Sequence, residues 1–144
     1  MKPTLAFVLA LCLPLACGPG PKLGETRAWS DHYSFRITPD MVPPRANESV
    51  HFRIVVQEKQ TGQPIEAGEG GIYAQTQDGA KADDGLKKER EAGTYSARLN
   101  FLIGGDWAMG LQFRREKNPK MAMERVNWIQ AVVPDTSIGP AGGK

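Results

Sequence analysis

Cysteine and histidine are nearly missing from this chain of 144 residues: there are two of each, Cys12 and Cys17, His32 and His51. Once an N-terminal leader is removed no pair of thiols remains, so the domain has to be held by its core and not by a disulfide. The common catalytic frames are also missing. There is no Gly-x-Ser-x-Gly elbow, no His-Glu-x-x-His pair and no phosphate-cradling glycine loop, and Asp78-Gly79 and Asp83-Asp84-Gly85 do not have calcium-loop spacing. One-sided charge is lacking, with 18 basic and 16 acidic residues. That balance excludes the basic footprint of a nucleic-acid binder. Long apolar runs are lacking too. The longest, Leu5–Ala16 (LAFVLALCLPLA), would make about 18 Å of helix, well short of the ~30 Å hydrocarbon core of a bilayer.

That short run carries the strongest signal in the sequence. Lys2 gives a positive start, the apolar run follows, and Gly18-Pro19-Gly20-Pro21 ends it. This order predicts a secretory signal over residues 1–16. Cys12 falls inside it. Cys17 follows Leu13-Pro14-Leu15-Ala16, a stretch similar to a bacterial lipobox, in which a small residue precedes a cysteine that becomes the lipidated N-terminus. Pro14 stands where that pattern has leucine. The alternative is ordinary cleavage that leaves Cys17 as a free thiol. Lipidation is favoured, because a lone thiol is a liability in an oxidising compartment. Residues 17–28 then form a lipidated N-terminus and tether, 29–134 the domain and 135–144 a disordered tail.

Within the domain the apolar residues recur at period two. Tyr33, Phe35 and Ile37 form one such set, and Val50, Phe52, Ile54 and Val56 another. Tyr95, Ala97, Leu99 and Phe101 form a third, and Trp107, Met109, Leu111 and Phe113 a fourth. Each alternates with mostly polar residues, the pattern of an antiparallel sheet buried on one face. Ile65 to Gln77 and Met121 to Val133 read as extended, the latter with a parity change between Trp128 and Ile129 that predicts a bulge or burial of both faces. Gly104-Gly105-Asp106 reads as a tight hairpin joining the Tyr95 and Trp107 strands. Asp78 to Gly93 is a polar excursion with room for a helical turn at most. Sixteen glycines and eleven prolines fit a chain of turns. The expectation is an all-β, two-sheet antiparallel sandwich of about six or seven strands behind a signal peptide.

Three short motifs add a resemblance. Gly62-Gln63-Pro64-Ile65-Glu66-Ala67-Gly68, Gly93-Thr94-Tyr95-Ser96-Ala97 and Gly104-Gly105-Asp106-Trp107-Ala108-Met109 resemble, in order and spacing, the turn, strand start and hairpin of YtkA-like and FixH-like domains. The resemblance covers roughly Trp29 to Pro134. It implies an immunoglobulin-like sandwich outside the cytoplasmic membrane, with no enzymatic reaction and at most an accessory role, since some relatives accompany copper-handling or oxidase-assembly machinery. The same residues have a structural reading: Tyr95 and Trp107 fill the core, and Gly93 and Gly105 allow the turns before them.

No catalytic set can be assembled. Asp83 and Asp84 sit in a charged run with Lys87, Lys88 and Arg90, which reads as solvated surface. The arguable metal set is His32, His51, Met121 and Met123, with Met41 as a further thioether, because thioether and imidazole suit Cu(I). Met121 and Met123 would share a strand face. Lys120 and Arg125 flank them and oppose a cation. Asn47-Glu48-Ser49 has the form of a glycosylation sequon and reads as a turn. The functional expectation is a non-enzymatic module without a cofactor, anchored through lipid on Cys17 in the periplasm or at the cell surface, that presents its sandwich to a membrane-protein or other envelope partner. The alternative is a periplasmic copper carrier or oxidase-assembly accessory.

Overall fold

The structure is a computed structural model that describes residues 22–115 and 120–136. The signal segment, Cys17 and the tail beyond Thr136 lie outside the described residues. Nine strands are present among them: β1 Thr26–Trp29, β2 Tyr33–Pro39, β3 Ser49–Glu58, β4 Gly68–Gln75, β5 Lys81–Gly85, β6 Lys87–Lys88, β7 Thr94–Asn100, β8 Gly105–Arg115 and β9 Glu124–Val132. They form two antiparallel sheets, ordered β1-β2-β3-β7-β6 and β5-β4-β8-β9. The fold is an all-β sandwich.

The period-two sets supply the filling. Tyr33, Phe35 and Ile37 of β2, Val50, Phe52, Ile54 and Val56 of β3, and Tyr95, Ala97 and Leu99 of β7 are buried, as are Trp107, Met109, Leu111 and Phe113 of β8. Aromatic rings meet edge to face between the sheets. Tyr33 and Phe113 have centroids 5.2 Å apart, Tyr95 and Phe113 5.4 Å, and Phe101 and Trp107 5.1 Å, within the range where such pairs add to simple area burial. Trp107 and Tyr95 are both 0% exposed, and each buried polar tip has a partner. Trp107 Nε1–H donates to the Ile103 carbonyl at 3.1 Å, and the Tyr95 hydroxyl to the Ile65 carbonyl at 2.8 Å.

Two glycine motifs meet at that second bond. Gly93 has φ +64°, and a Cβ there would lie 2.7 Å from Pro64 Cβ and 2.8 Å from the Val56 carbonyl oxygen. Val56 N–H donates to Gly93 O and Ile65 N–H to Val56 O. Only glycine lets the turn before β7 close this tightly on the Pro64-Ile65 segment.

Several local expectations are corrected. The excursion from Asp78 to Gly93 holds two strands and no helical turn. β5 is an edge of the four-stranded sheet and β6 of the five-stranded one, and Leu86 between them packs against the core. An edge strand needs only main-chain pairing, and lysines there discourage further pairing, so a polar sequence is compatible with both. Gly104-Gly105-Asp106 is not a hairpin. β7 and β8 belong to different sheets, so the turn carries the chain across the sandwich. The Phe101–Trp107 contact spans that crossing.

β9 has neither a bulge nor two buried faces. Its pairing with β8 is continuous from Gly105↔Val132 to Phe113↔Glu124. Val126, Trp128 and Val132 keep the inward parity, while Ile129 points out from an edge strand and is exposed. β1 starts at Thr26 and pairs along β2, so the ordered domain begins inside the segment read as tether.

Candidate functional site

At one end of the sandwich, Ser30-Asp31-His32 reverses the chain between β1 and β2. Ser30 N–H donates to the Tyr33 carbonyl at 3.0 Å, which closes the turn. Lys59, just after β3, clamps it through its N–H to His32 O at 2.8 Å and its Nζ to Ser30 O at 2.9 Å. The turn points His32 across the gap between the sheets, to the first residue of β9. The His32 main-chain N–H donates to Glu124 Oε2 at 3.0 Å, and the imidazole Nδ1 lies 2.6 Å from Oε1. An ionised carboxylate only accepts, so Nδ1 carries the hydrogen of this bond.

Burial raises the pKa of Glu124, but hydrogen bonds from Ser30 and from the main chain and ring of His32 outweigh it, and the carboxyl is held below its ordinary value. The other ring nitrogen, Nε2, belongs to a side chain that is 78% exposed. A carboxylate that fixes one imidazole nitrogen and presents the other is the arrangement that orients histidine toward a ligand.

A recess of about 400 Å³ opens beside this pair, lined by His32, Tyr33, Glu58, Arg115, Met121 and Glu124 among others. Its floor is fixed. Tyr33 OH accepts the Arg115 N–H at 3.0 Å, and the Arg115 guanidinium lies 3.7 Å from Glu58. Met121 and Met123 are both exposed, and the Arg114 guanidinium donates to Met121 O at 3.0 Å.

The four candidate ligands therefore separate. His32 and Met121 share the recess, and Met123 adjoins Glu124 in sequence. His51 is elsewhere. Tyr33, next to His32, pairs with Glu58 at the end of β3, while His51 lies near its start, opposite Arg98. Seven positions of strand separate His51 from Glu58, about 23 Å. Metal–ligand bonds are only about 2–2.3 Å, so His51 cannot share an ion with the other three. Met41 follows Asp40, whose side chain accepts the His51 N–H at 2.9 Å, and so belongs to the His51 end.

His51 lies instead in a groove of about 540 Å³ on the outer face of the five-stranded sheet, with Arg53, Arg90, Glu91 and Lys22. There the Arg53 guanidinium bonds Glu91 and holds its carboxyl below the usual range. On the outer face of the other sheet, Tyr73 lies over Gly110, where a Cβ would fall 2.0 Å from the ring. Arg125 stacks 5.4 Å above that ring. Glu124, the partner of His32, was not among the sequence candidates. The two residues are 92 positions apart, and no local pattern links them.

No family model matches the sequence, and no curated protein matches it. Solved structures do. A DUF4426 family protein from Pseudomonas aeruginosa superposes with a TM-score of 0.57 at 16% identity, covering 78% of this chain and 98% of that one. FetP of a uropathogenic E. coli strain, recombinantly expressed in the periplasm of E. coli, superposes with a TM-score of 0.51 at 11% identity, covering 76% of this chain and 94% of that one. What these proteins share with this chain is the sandwich fold.

Proposed function

We propose that this protein is an exported, non-enzymatic binding module that is tethered by lipid on Cys17 and presents the His32 end of its sandwich to an envelope partner. One observation carries the reading. The exposed methionines Met121 and Met123 flank an oriented His32–Glu124 pair at the end of the sandwich opposite Lys22, where the described chain begins. A tether at Lys22 leaves the far end free to meet a partner. The periplasmic expression of FetP and the signal-like N-terminal run support an extracytoplasmic setting. The test is photo-crosslinking in the host from a probe at Met123, with a probe at Gln77 at the tethered end as control. A discrete adduct from Met123 alone is expected. Equal or absent adducts from both positions count against this reading.

A second reading is favoured by a specific contact. With Nδ1 held by Glu124, His32 keeps Nε2 as a donor, and His32 and Met121 line the same recess, a donor pair suited to Cu(I). This copper site is smaller than the set proposed from sequence, and it excludes His51.

A further inference from the structure

Eight large apolar side chains are exposed among the described residues, and four of them lie at the end of the sandwich where the described chain begins: Leu23, Val42, Leu102 and Ile103. Leu23 is 84% exposed and Leu102 61%. They come from three separate segments that the main chain stitches together. Gly24 closes on Val42, whose Cγ2 would lie 2.5 Å from a Cβ at that position. Ala46 N–H donates to Val133 O, and Val133 N–H to Pro44 O. Asn47 N–H donates to Phe101 O at 2.7 Å, just before Leu102. Main-chain bonds thus hold the three segments together as a cap at this end; Lys22 lies beside it in the groove with Asp40 and Glu91, and Arg45 beside Glu48 and Asp135.

The length of chain before it says what the cap meets. Five residues lead from Cys17 to Lys22, and even fully extended they reach at most about 18 Å. β3 alone, with ten residues, is about 33 Å long. A lipid on Cys17 therefore holds this cap within about 18 Å of the bilayer. We infer that the cap formed by Leu23, Val42, Leu102 and Ile103 docks on the lipid surface, with its apolar side chains in the headgroup region. The inference rests on the lipid-anchored reading of Cys17. Four side chains bind a membrane weakly by themselves, but a short tether raises their effective concentration at the surface until the contact persists. Docking would fix the tilt of the domain as well as its distance from the membrane.

The test uses the full lipidated chain in protein-free vesicles of phosphatidylethanolamine and phosphatidylglycerol. The only cysteines are Cys12 and Cys17, so Leu102→Cys and Met123→Cys each add one free thiol for an environment-sensitive fluorophore. Both replace exposed side chains. Flotation with the vesicles reads the anchor, and quenching by headgroup nitroxide lipids reads the docking. The expected result is that both variants float and the label at position 102 is quenched several-fold more than the label at 123. Floating protein with equal quenching at the two positions overturns the docking and leaves the anchor standing. Protein that does not float overturns the Cys17 reading and the docking with it. Quenching at 102 that requires added membrane proteins makes the cap a protein-binding surface and also overturns the inference.

Discussion

His32 and Glu124, 92 positions apart, are joined twice, by the main-chain N–H at 3.0 Å and by the ring nitrogen at 2.6 Å. This contact ties the β1–β2 turn of one sheet to the first residue of β9 in the other. It has a pH signature. The carboxyl of Glu124 is held below its ordinary value of 4.5 in the folded state. A depressed carboxyl contributes stability above its unfolded pKa, and that contribution is lost as pH falls through the folded pKa. Melting temperature should therefore drop as the pH is taken below about 4.5. Glu124→Gln should lower stability at neutral pH and flatten the acid decline, as measured by thermal melts between pH 3 and 7.

Tyr95 predicts the alkaline limb. Burial chiefly, with the nearby Glu66 charge, pushes its phenol up to about 12. The folded state keeps the proton after the unfolded chain has released it, so stability should fall as pH rises from about 10 toward 12. Tyr95→Phe removes that loss. It also leaves the Ile65 carbonyl without its donor, at a cost of about 1–3 kcal/mol at neutral pH. Denaturant melts at pH 7 and pH 11 test both effects.

Trp107 is fully buried in the sandwich and bonded to Ile103. Trp107→Ala should cost about 3–5 kcal/mol, a large part of the ~5–15 kcal/mol that holds a domain together. A chemical-denaturation midpoint close to the parent's would show that the Phe101–Trp107 crossing contributes little.

The copper reading divides the histidines. Under it, Cu(I) titration of the purified domain against a competing chromophoric chelator should give one site weakened by His32→Ala and by Met121→Ala, and unaffected by His51→Ala, since His51 lies about 23 Å away along β3. Equal effects from both histidines, or a site that survives His32→Ala, would remove the recess as a copper site.

The strands that fill the core were legible because alternation is local. Which face of Phe35, Ile54, Leu99 or Leu111 turns inward is written in the residues two positions away, and the hydrophobic effect rewards that face in any sheet. The burial of Tyr95 and Trp107 follows from the same pattern. Pairing between strands is not local. Gly104-Gly105-Asp106 states that the chain turns, and packing of Phe101 on Trp107 decides that it turns into the other sheet. The polar residues of β5 and β6 give no period, because an edge strand is held by main-chain bonds that any sequence can make. His51 and His32 look equivalent as letters on polar strand faces. The register of β2 on β3 places them at opposite ends of the sandwich, and the arrival of β9 from the second sheet gives a carboxylate to His32 alone.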